Sequence, residues 1–447
     1  MKTRDAGAAR RADTSRAPIG FSGRGASARA LRWLALVAGL CALAASSAAD
    51  KTLRVAVTGD YPPLCERTAA GDYVGLDPDV ARAFAVQRGY AIEWVPVTWP
   101  ELAAALAAGR FDVAMTGVTV RPDRSSAGRF SVPIAESGAA VLVRDAALAS
   151  EEALAQPGVA ISVNAGGHLE RLARERFPNA AIRALPDNSA VRDAFASGAA
   201  PAVVTDTLEA PHWLALVPGA ALVGPLTRDV KAYWLPAGRD ALALELDAWL
   251  LAREGDGTLA VIRAQWLGVE QAQRRPALPA LALIAALAER LALMPAVAEA
   301  KRASGAPVFV PEREAALLAA AVASAQEAAK REQRAAPDKL ALERFFTALF
   351  EASRAVQTAV LAGTPPAASD STSAYDLDAQ LRPALTRLTE RIAALLPLLP
   401  IRLAEDALRE EVAARTPQLP GLDASERARL VSALAELASA PRRNPER

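Results

Sequence analysis

Cysteine and histidine are nearly absent from this chain of 447 residues, which carries two of each. Cys41 lies in an apolar N-terminal run. If that run is removed, Cys65 alone remains and no internal disulfide can form, even in an oxidising compartment. His168 and His212 together with one cysteine make no credible metal set, and no metal or other cofactor is expected. Excess charge is missing too: 51 Lys and Arg stand against 50 Asp and Glu, a net charge of +1. No long-range field therefore draws in nucleic acid or an anionic membrane. The apolar run Trp33 to Ala45 is too short for a permanent membrane anchor, and the remainder, with charged residues of both signs interspersed, reads as soluble and globular.

The N-terminus has a different logic. Basic residues up to Arg32 precede the apolar run, and Ser47-Ala48-Ala49 offers small residues where a signal peptidase needs them. Residues 1–49 read as a signal peptide cleaved after Ala49, which makes the mature chain an exported, periplasmic protein. The rest divides into residues 50–268, a polar linker at 269–276 (Gln271, Gln273, Arg274 and Arg275), and residues 277–447. In the first part strands alternate with helices, as in Leu53 to Val57, Asp79 to Ala91, Trp94 to Val97 and Glu101 to Ala108. That order implies a mainly parallel sheet covered on both faces. Lobe one takes about 50–140 and 224–268, and lobe two about 141–223. Ligands of such sheets bind beyond the carboxyl ends of the strands, here between the lobes.

Phe111 to Ile134 is the stretch around which the first part is organised. Asp112 to Met115 reads as a short buried strand, after which Thr116, Gly117 and Thr119 offer hydroxyls and open backbone. Arg124 follows a Pro-Asp turn, where its guanidinium can reach a carboxylate with two parallel hydrogen bonds. On the residues alone it reads first as a surface arginine. The run Thr116, Asp123-Arg124 and Phe130-Ser131-Val132-Pro133 resembles the signature of two-lobed periplasmic amino-acid-binding proteins, in which the arginine clamps the ligand carboxylate. Further pieces are Thr58-Gly59-Asp60-Tyr61, Gly75 with Asp77 and Asp79, Thr98-Trp99-Pro100, Asn164 with Gly166-Gly167, Thr205-Asp206 with Glu209, and Lys231-Ala232-Tyr233. With them Leu53 to Gly268 resembles, more narrowly, the cyclohexadienyl dehydratases of the same fold.

That resemblance implies an enzyme aromatising prephenate or arogenate, with Glu209 as general acid, protonated near neutrality because burial raises a carboxyl pKa. Arg124 and Lys231 would hold carboxylates, Asn164 and Thr119 would give neutral hydrogen bonds, and Trp99 an apolar wall. Asp60 and Asp206 are weaker picks, able to meet the amine that arogenate has and prephenate lacks. Without the resemblance Glu209 reads equally as a solvent-facing helix residue, Trp99 as core and Lys231 as a surface charge. Leu64, Arg121 and His168 depart from the family pattern, which puts substrate choice in question.

Beyond Leu278 no convincing strand is found. Helical runs cover 278–303, 311–334, 338–361 and 376–398, with a polar loop at 367–374. Arg290 shares a face with Leu283, Leu287 and Met294, Lys301 follows three turns later unless Pro295 kinks the helix, and Arg391 sits on the Leu388 and Leu395 side of a later run. Singly these cations could reach solvent; together with Arg313 they argue for an anion inside the bundle. Glu289-Arg290-Leu291, Val297-Ala298 with Lys301, Arg313-Glu314, Phe345-Phe346, Ala352-Ser353 with Gln357, and Arg391 resemble the exported, all-helical class of chorismate mutase. Val310 departs from that pattern. By the resemblance Arg290, Arg313 and Arg391 grip carboxylates, Lys301 and Gln357 face the breaking ether oxygen, and Ser353 assists.

The expected architecture is thus an α/β two-lobed periplasmic-binding-protein-like domain followed by an all-α chorismate mutase domain. Its expected partners are small molecules: chorismate, prephenate and arogenate. A homo-oligomer stays open. The rival readings are an amino-acid-binding protein fused to a non-catalytic helical module, and a dehydratase whose helical domain only mediates assembly.

Overall fold

The chain enters a sheet at once, because Leu53, Val55, Ala56 and Val57 of the strand Lys51–Val57 are apolar and find burial on both sides. The strand pairs in parallel with Tyr90–Pro96 and with Val113–Ala114. The computed structural model describes residues 51–363, 375–401, 403–416 and 419–443. The expected signal peptide and the polar loop at 367–374 lie outside the described residues. In spatial order the first sheet runs Tyr90–Pro96, Lys51–Val57, Val113–Ala114, Trp234–Pro236 and Gly128–Phe130. Trp234–Pro236 is antiparallel to both its neighbours and brings the chain back into lobe one.

The second sheet runs Ala181–Leu185, Ala160–Asn164, Ala202–Asp206, Ala139–Val143 and Ala221–Val223. Its first three strands are parallel and the last two run against their neighbours. The chain crosses between lobes near Gly138 and again near Gly224. A Cβ at Gly138 would collide with the carbonyl oxygen of Thr227, so the two crossing segments can lie side by side only with glycine there. Helices Leu76–Arg88 and Asp240–Gly255 pack together through Phe84 and Trp249, whose rings meet edge to face at 5.5 Å.

The stretch expected as a linker is mostly helix. Thr258–Arg274 is one helical run interrupted at Gly268 (φ 82°, ψ 169°), and it continues to Arg274. Ala277, just beyond, is fully buried and donates its N–H to Glu254 at 3.2 Å. Helices Pro279–Ala292 and Met294–Ser304 follow, broken at Leu293, two residues before Pro295. By length and apolarity residues 279–304 would pass for a membrane span, yet most of this segment is buried inside the protein. Pro311–Arg331, Lys339–Ala362, Arg382–Leu395, Glu405–Arg415 and Ala424–Ser439 complete the bundle. The one strand pairing among its described residues is the two-residue ladder of Ala336–Pro337 with Arg442–Arg443. Lobe one and the bundle share a continuous apolar core, from Val80 and Trp249 through Ala277 to Leu283 and Phe346.

Candidate active sites

Both lobes contribute to one cleft. Lobe one supplies Tyr61, Trp99, Gly117, Thr119, Arg124 and Lys231, and lobe two supplies Asn164, Gly167, His168, Asn188, Asp206 and Glu209. Arg124 sits in the first turn of the short helix Pro122–Ala127, which Pro122 starts, and the backbone turns its side chain inward. Its Nη1 donates to the Thr119 carbonyl at 3.0 Å, and its guanidinium lies 5.9 Å from the Trp234 ring centroid. Burial and the nearby charge of Arg121 push its pKa down to about 9. None of the described carboxylates lies within ion-pair distance of it. A buried, unpaired guanidinium at a cleft wall is a site for an anion.

Glu209 is fully buried where the strand Ala202–Asp206 hands over to the helix Ala210–Leu216. Thr205 Oγ1 donates to its Oε2 at 2.7 Å, and Asn188 Nδ2 to its Oε1 at 2.5 Å. Burial, reinforced by the charge of Asp206, holds its pKa well above the ordinary carboxylate value in spite of those two donors.

Asp206 and Asp60 have other occupations. Asp206 Oδ1 accepts from the N–H groups of Leu208 (2.9 Å) and Glu209 (3.2 Å), and its Oδ2 from Tyr61 and from Lys231 Nζ at 2.9 Å. Lys231 also donates to Thr119 Oγ1 at 2.9 Å. Asp60 accepts from Trp99 Nε1 at 3.1 Å and, across the cleft, from the Asn188 N–H at 3.2 Å. These contacts latch the lobes together, and Trp99 is less a plain wall than a donor that aims Asp60. Asn188 and Tyr61 escaped the sequence reading. Asn188 begins a helix, a position with no pattern of its own, although Tyr61 stood next to Asp60 in a quoted motif.

In the bundle Arg290, Ser353 and Gln357 come together. Arg290 Nη1 donates to Ser353 Oγ at 2.6 Å and its Nε to Thr389 Oγ1 at 3.3 Å, and its guanidinium lies 5.3 Å from the Phe350 centroid. Burial lowers its pKa to about 10. Gln357 Nε2 donates to the Ser353 carbonyl at 3.1 Å and meets Met294 Sδ at 3.4 Å. Lys301 donates to the Val308 carbonyl at 3.1 Å. Its pKa is lowered first by burial, then by the charges of Arg382 and Arg313. Arg382 is likewise lowered by burial and by Arg313, so these three cations crowd one region although Arg313 itself is exposed.

Arg391 is elsewhere. Its face of the helix Arg382–Leu395 meets lobe one: Nη1 donates to Glu289 at 3.2 Å and Nη2 to the Ser131 carbonyl, while Ser125 Oγ donates to Glu289 at 2.7 Å. Its neighbour Arg387 donates to the Gly128 carbonyl at 3.2 Å. The expectation that Arg391 grips a ligand in the bundle is therefore corrected: an acid and a carbonyl at the domain interface occupy it. Arg382, at the start of the same helix, pairs with the exposed Asp378 and also stands near Lys301 and Arg313. Among the described residues no group of His, Cys, Asp and Glu could hold a metal ion.

Two sheets joined by two crossings, with a cleft lined from both lobes and a helical extension, define a two-lobed solute-binding protein carrying a second domain. The chain matches Bacterial extracellular solute-binding proteins, family 3, over residues 53–269, and Chorismate mutase type II over residues 281–358. It is 35% identical over 250 residues to the cyclohexadienyl dehydratase of Pseudomonas aeruginosa, spanning 54% of this chain and 93% of that protein. The L-cystine-binding protein of Escherichia coli K12 is 25% identical over 227 residues, 49% of this chain and 84% of its own. The crystal structure of an ancestral amino-acid-binding protein, described as a precursor of cyclohexadienyl dehydratase, is 33% identical and covers 48% of this chain and 95% of its own, with a TM-score of 0.46. The chain belongs to the cyclohexadienyl dehydratase family of solute-binding-protein fold, fused to a chorismate mutase domain.

Proposed function

We propose that the protein is an exported, periplasmic bifunctional enzyme that rearranges chorismate to prephenate and then converts prephenate or arogenate to phenylpyruvate or phenylalanine. The observation that carries the second step is Glu209, buried in the inter-lobe cleft with a raised pKa and facing the same space as the unpaired Arg124. In dehydration the bond from the ring to its carboxylate breaks and carbon dioxide leaves. The freed electron pair enters the ring, and the ring C–O bond breaks. The departing oxygen takes the proton of Glu209 and leaves as water. Arg124 holds a carboxylate, Asn164 and Thr119 give hydrogen bonds, and Lys231, already tied to Asp206 and Thr119, keeps the cleft cationic.

The rearrangement of chorismate needs no proton transfer. It needs the dianion held in its compact conformer and donors where charge develops on the ether oxygen as the C–O bond breaks and the new C–C bond forms. Arg290, Arg313 and Arg382 bind the carboxylates, Lys301 and Gln357 face the ether oxygen, and Ser353 orients Arg290. One N–H of the Gln357 amide has only a thioether as partner, which leaves it available for the substrate. Incubating the protein with chorismate and following prephenate and phenylpyruvate tests the whole reading. Both compounds appear in turn if it holds. Prephenate alone removes the dehydratase, and no turnover leaves an amino-acid-binding protein with a helical module.

A further inference from the structure

Lobe one and the helical domain enclose a cavity of about 120 Å³ that belongs to neither site described above. That is roughly ten times the minimum one water needs. Four arginines reach its wall, Arg121, Arg228, Arg391 and Arg415, against two carboxylates, Asp229 and Glu289. Both acids are engaged: Asp229 with His168 at 3.1 Å and Thr227 at 3.0 Å, Glu289 with Ser125 and Arg391.

The guanidinium groups are only partly used. Arg121 pairs with Asp123, Arg228 with Glu411, and Arg415 with Glu136 and Glu411. Each guanidinium carries five N–H donors, so such pairs leave some over. Arg121 Nη1, Arg391 Nε and Arg415 Nη1 are buried without a hydrogen-bond partner. The side chains of Arg391 and Arg415 are only 5% and 3% exposed. Unmet donors on buried cations are costly. The rest of the lining is largely apolar and includes Ala288, Ala292 and Pro133.

We propose that this interdomain cavity is a binding site for a small monocarboxylate with a compact apolar body. Planar forks of N–H donors suit a carboxylate, and the alanine and proline wall suits the apolar body. Asp229 and Glu289 in the same lining disfavour an anion of higher charge. The inference does not rest on the proposed reactions, since none of the residues assigned to them lines this cavity.

The test is calorimetric titration of the full chain with benzoate, compared with an Ala288→Phe variant that fills the cavity. Wild type is expected to bind, and Ala288→Phe to bind at least about tenfold more weakly while circular dichroism and turnover of chorismate stay unchanged. Should Ala288→Phe fail to fold, Arg228→Gln at the half-exposed rim is expected to weaken binding roughly fivefold. No binding by wild type up to about 10 mM overturns the proposal, as does a folded Ala288→Phe, or failing that a folded Arg228→Gln, that binds like wild type.

Discussion

Asn188 Nδ2 stands 2.5 Å from Glu209 Oε1, a contact between the first residue of one lobe-two helix and the residue that precedes another. With Thr205 on the other oxygen it fixes where the Glu209 proton can point. As the proposed general acid, Glu209 works only when protonated, and burial raises its pKa. Dehydratase activity is therefore expected to persist above the usual carboxylate range and to decline as pH rises through that raised value. Glu209→Gln should lower dehydration about a hundredfold or more, abolish that decline, and leave mutase turnover unchanged. Stopped-flow measurement of both reactions against pH checks this; near-normal phenylpyruvate formation would remove Glu209 from its role.

Arg124 offers a second prediction. Its guanidinium donates to the Thr119 carbonyl and lies 5.9 Å from the Trp234 ring centroid, and a lysine ammonium lacks the planar fork that can meet a carboxylate with two parallel hydrogen bonds. Arg124→Lys should raise the dehydratase KM about tenfold or more, by loss of a bidentate carboxylate contact. Unchanged kinetics would place the clamp on another residue.

The helix Arg382–Leu395 separates two roles that its sequence merges. Arg382→Ala should lower mutase turnover about a hundredfold, because a cation beside Lys301 and Arg313 is lost. Arg391→Met should leave the mutase step intact and destabilise the protein by roughly 3 kcal/mol, because Glu289 is left buried without its cation. Mutase assays and denaturant melts on the two variants distinguish the roles; the opposite pattern would restore Arg391 to the site.

Asp77 makes stability depend on pH. It is buried beneath the cleft, accepts from the Gly117 N–H, and burial raises its pKa from 3.8 to about 7. A folded pKa above the unfolded one means that the contribution is complete below the unfolded value and is lost as pH rises through the folded value. Between about pH 4 and 7 this side chain should cost the folded state stability on the order of a few kcal/mol. Asp77→Asn should flatten that part of the profile, which urea melts across the range will show. A parallel slope in both proteins would mean that other groups carry it.

Arg124, Thr119, Glu209 and Lys231 line one cleft, and it was the family resemblance that pointed to them: on the residues alone Arg124 and Lys231 read as surface charges and Glu209 equally as a solvent-facing helix residue. Helical periodicity put Arg391 on an apolar face but could not say that this face meets another domain. Arg387 and Arg391, one turn apart, both reach lobe-one carbonyls. Asn188 was invisible because its partner is 21 residues away across a lobe. The polar stretch after Gly268 looked like a linker, yet Arg274 and Arg275 are polar because they reach Glu136 and Glu254. Polarity marked an ionic contact there as readily as solvent.

Gln357 yields the sharpest test of the mutase site. Its amide donates at any ordinary pH, and one N–H is taken by the Ser353 carbonyl while the other meets only Met294 Sδ. The wild-type mutase should therefore vary little between about pH 5 and 8, where a free glutamate would be mostly ionised. A glutamate in its place donates only when protonated, and its anion would repel the ether oxygen as charge builds there. Burial would raise the pKa of that new carboxyl and Lys301 would lower it. Gln357→Glu should thus keep activity at the acidic end and lose it as pH rises through that pKa. If Gln357 only satisfies the Ser353 carbonyl, any loss of activity will instead follow unfolding. Mutase rates of both proteins against pH, with circular dichroism at each point, separate the two cases. A flat profile in a folded Gln357→Glu protein would show that the ether oxygen meets a different donor, and Lys301 would then be the next residue to vary.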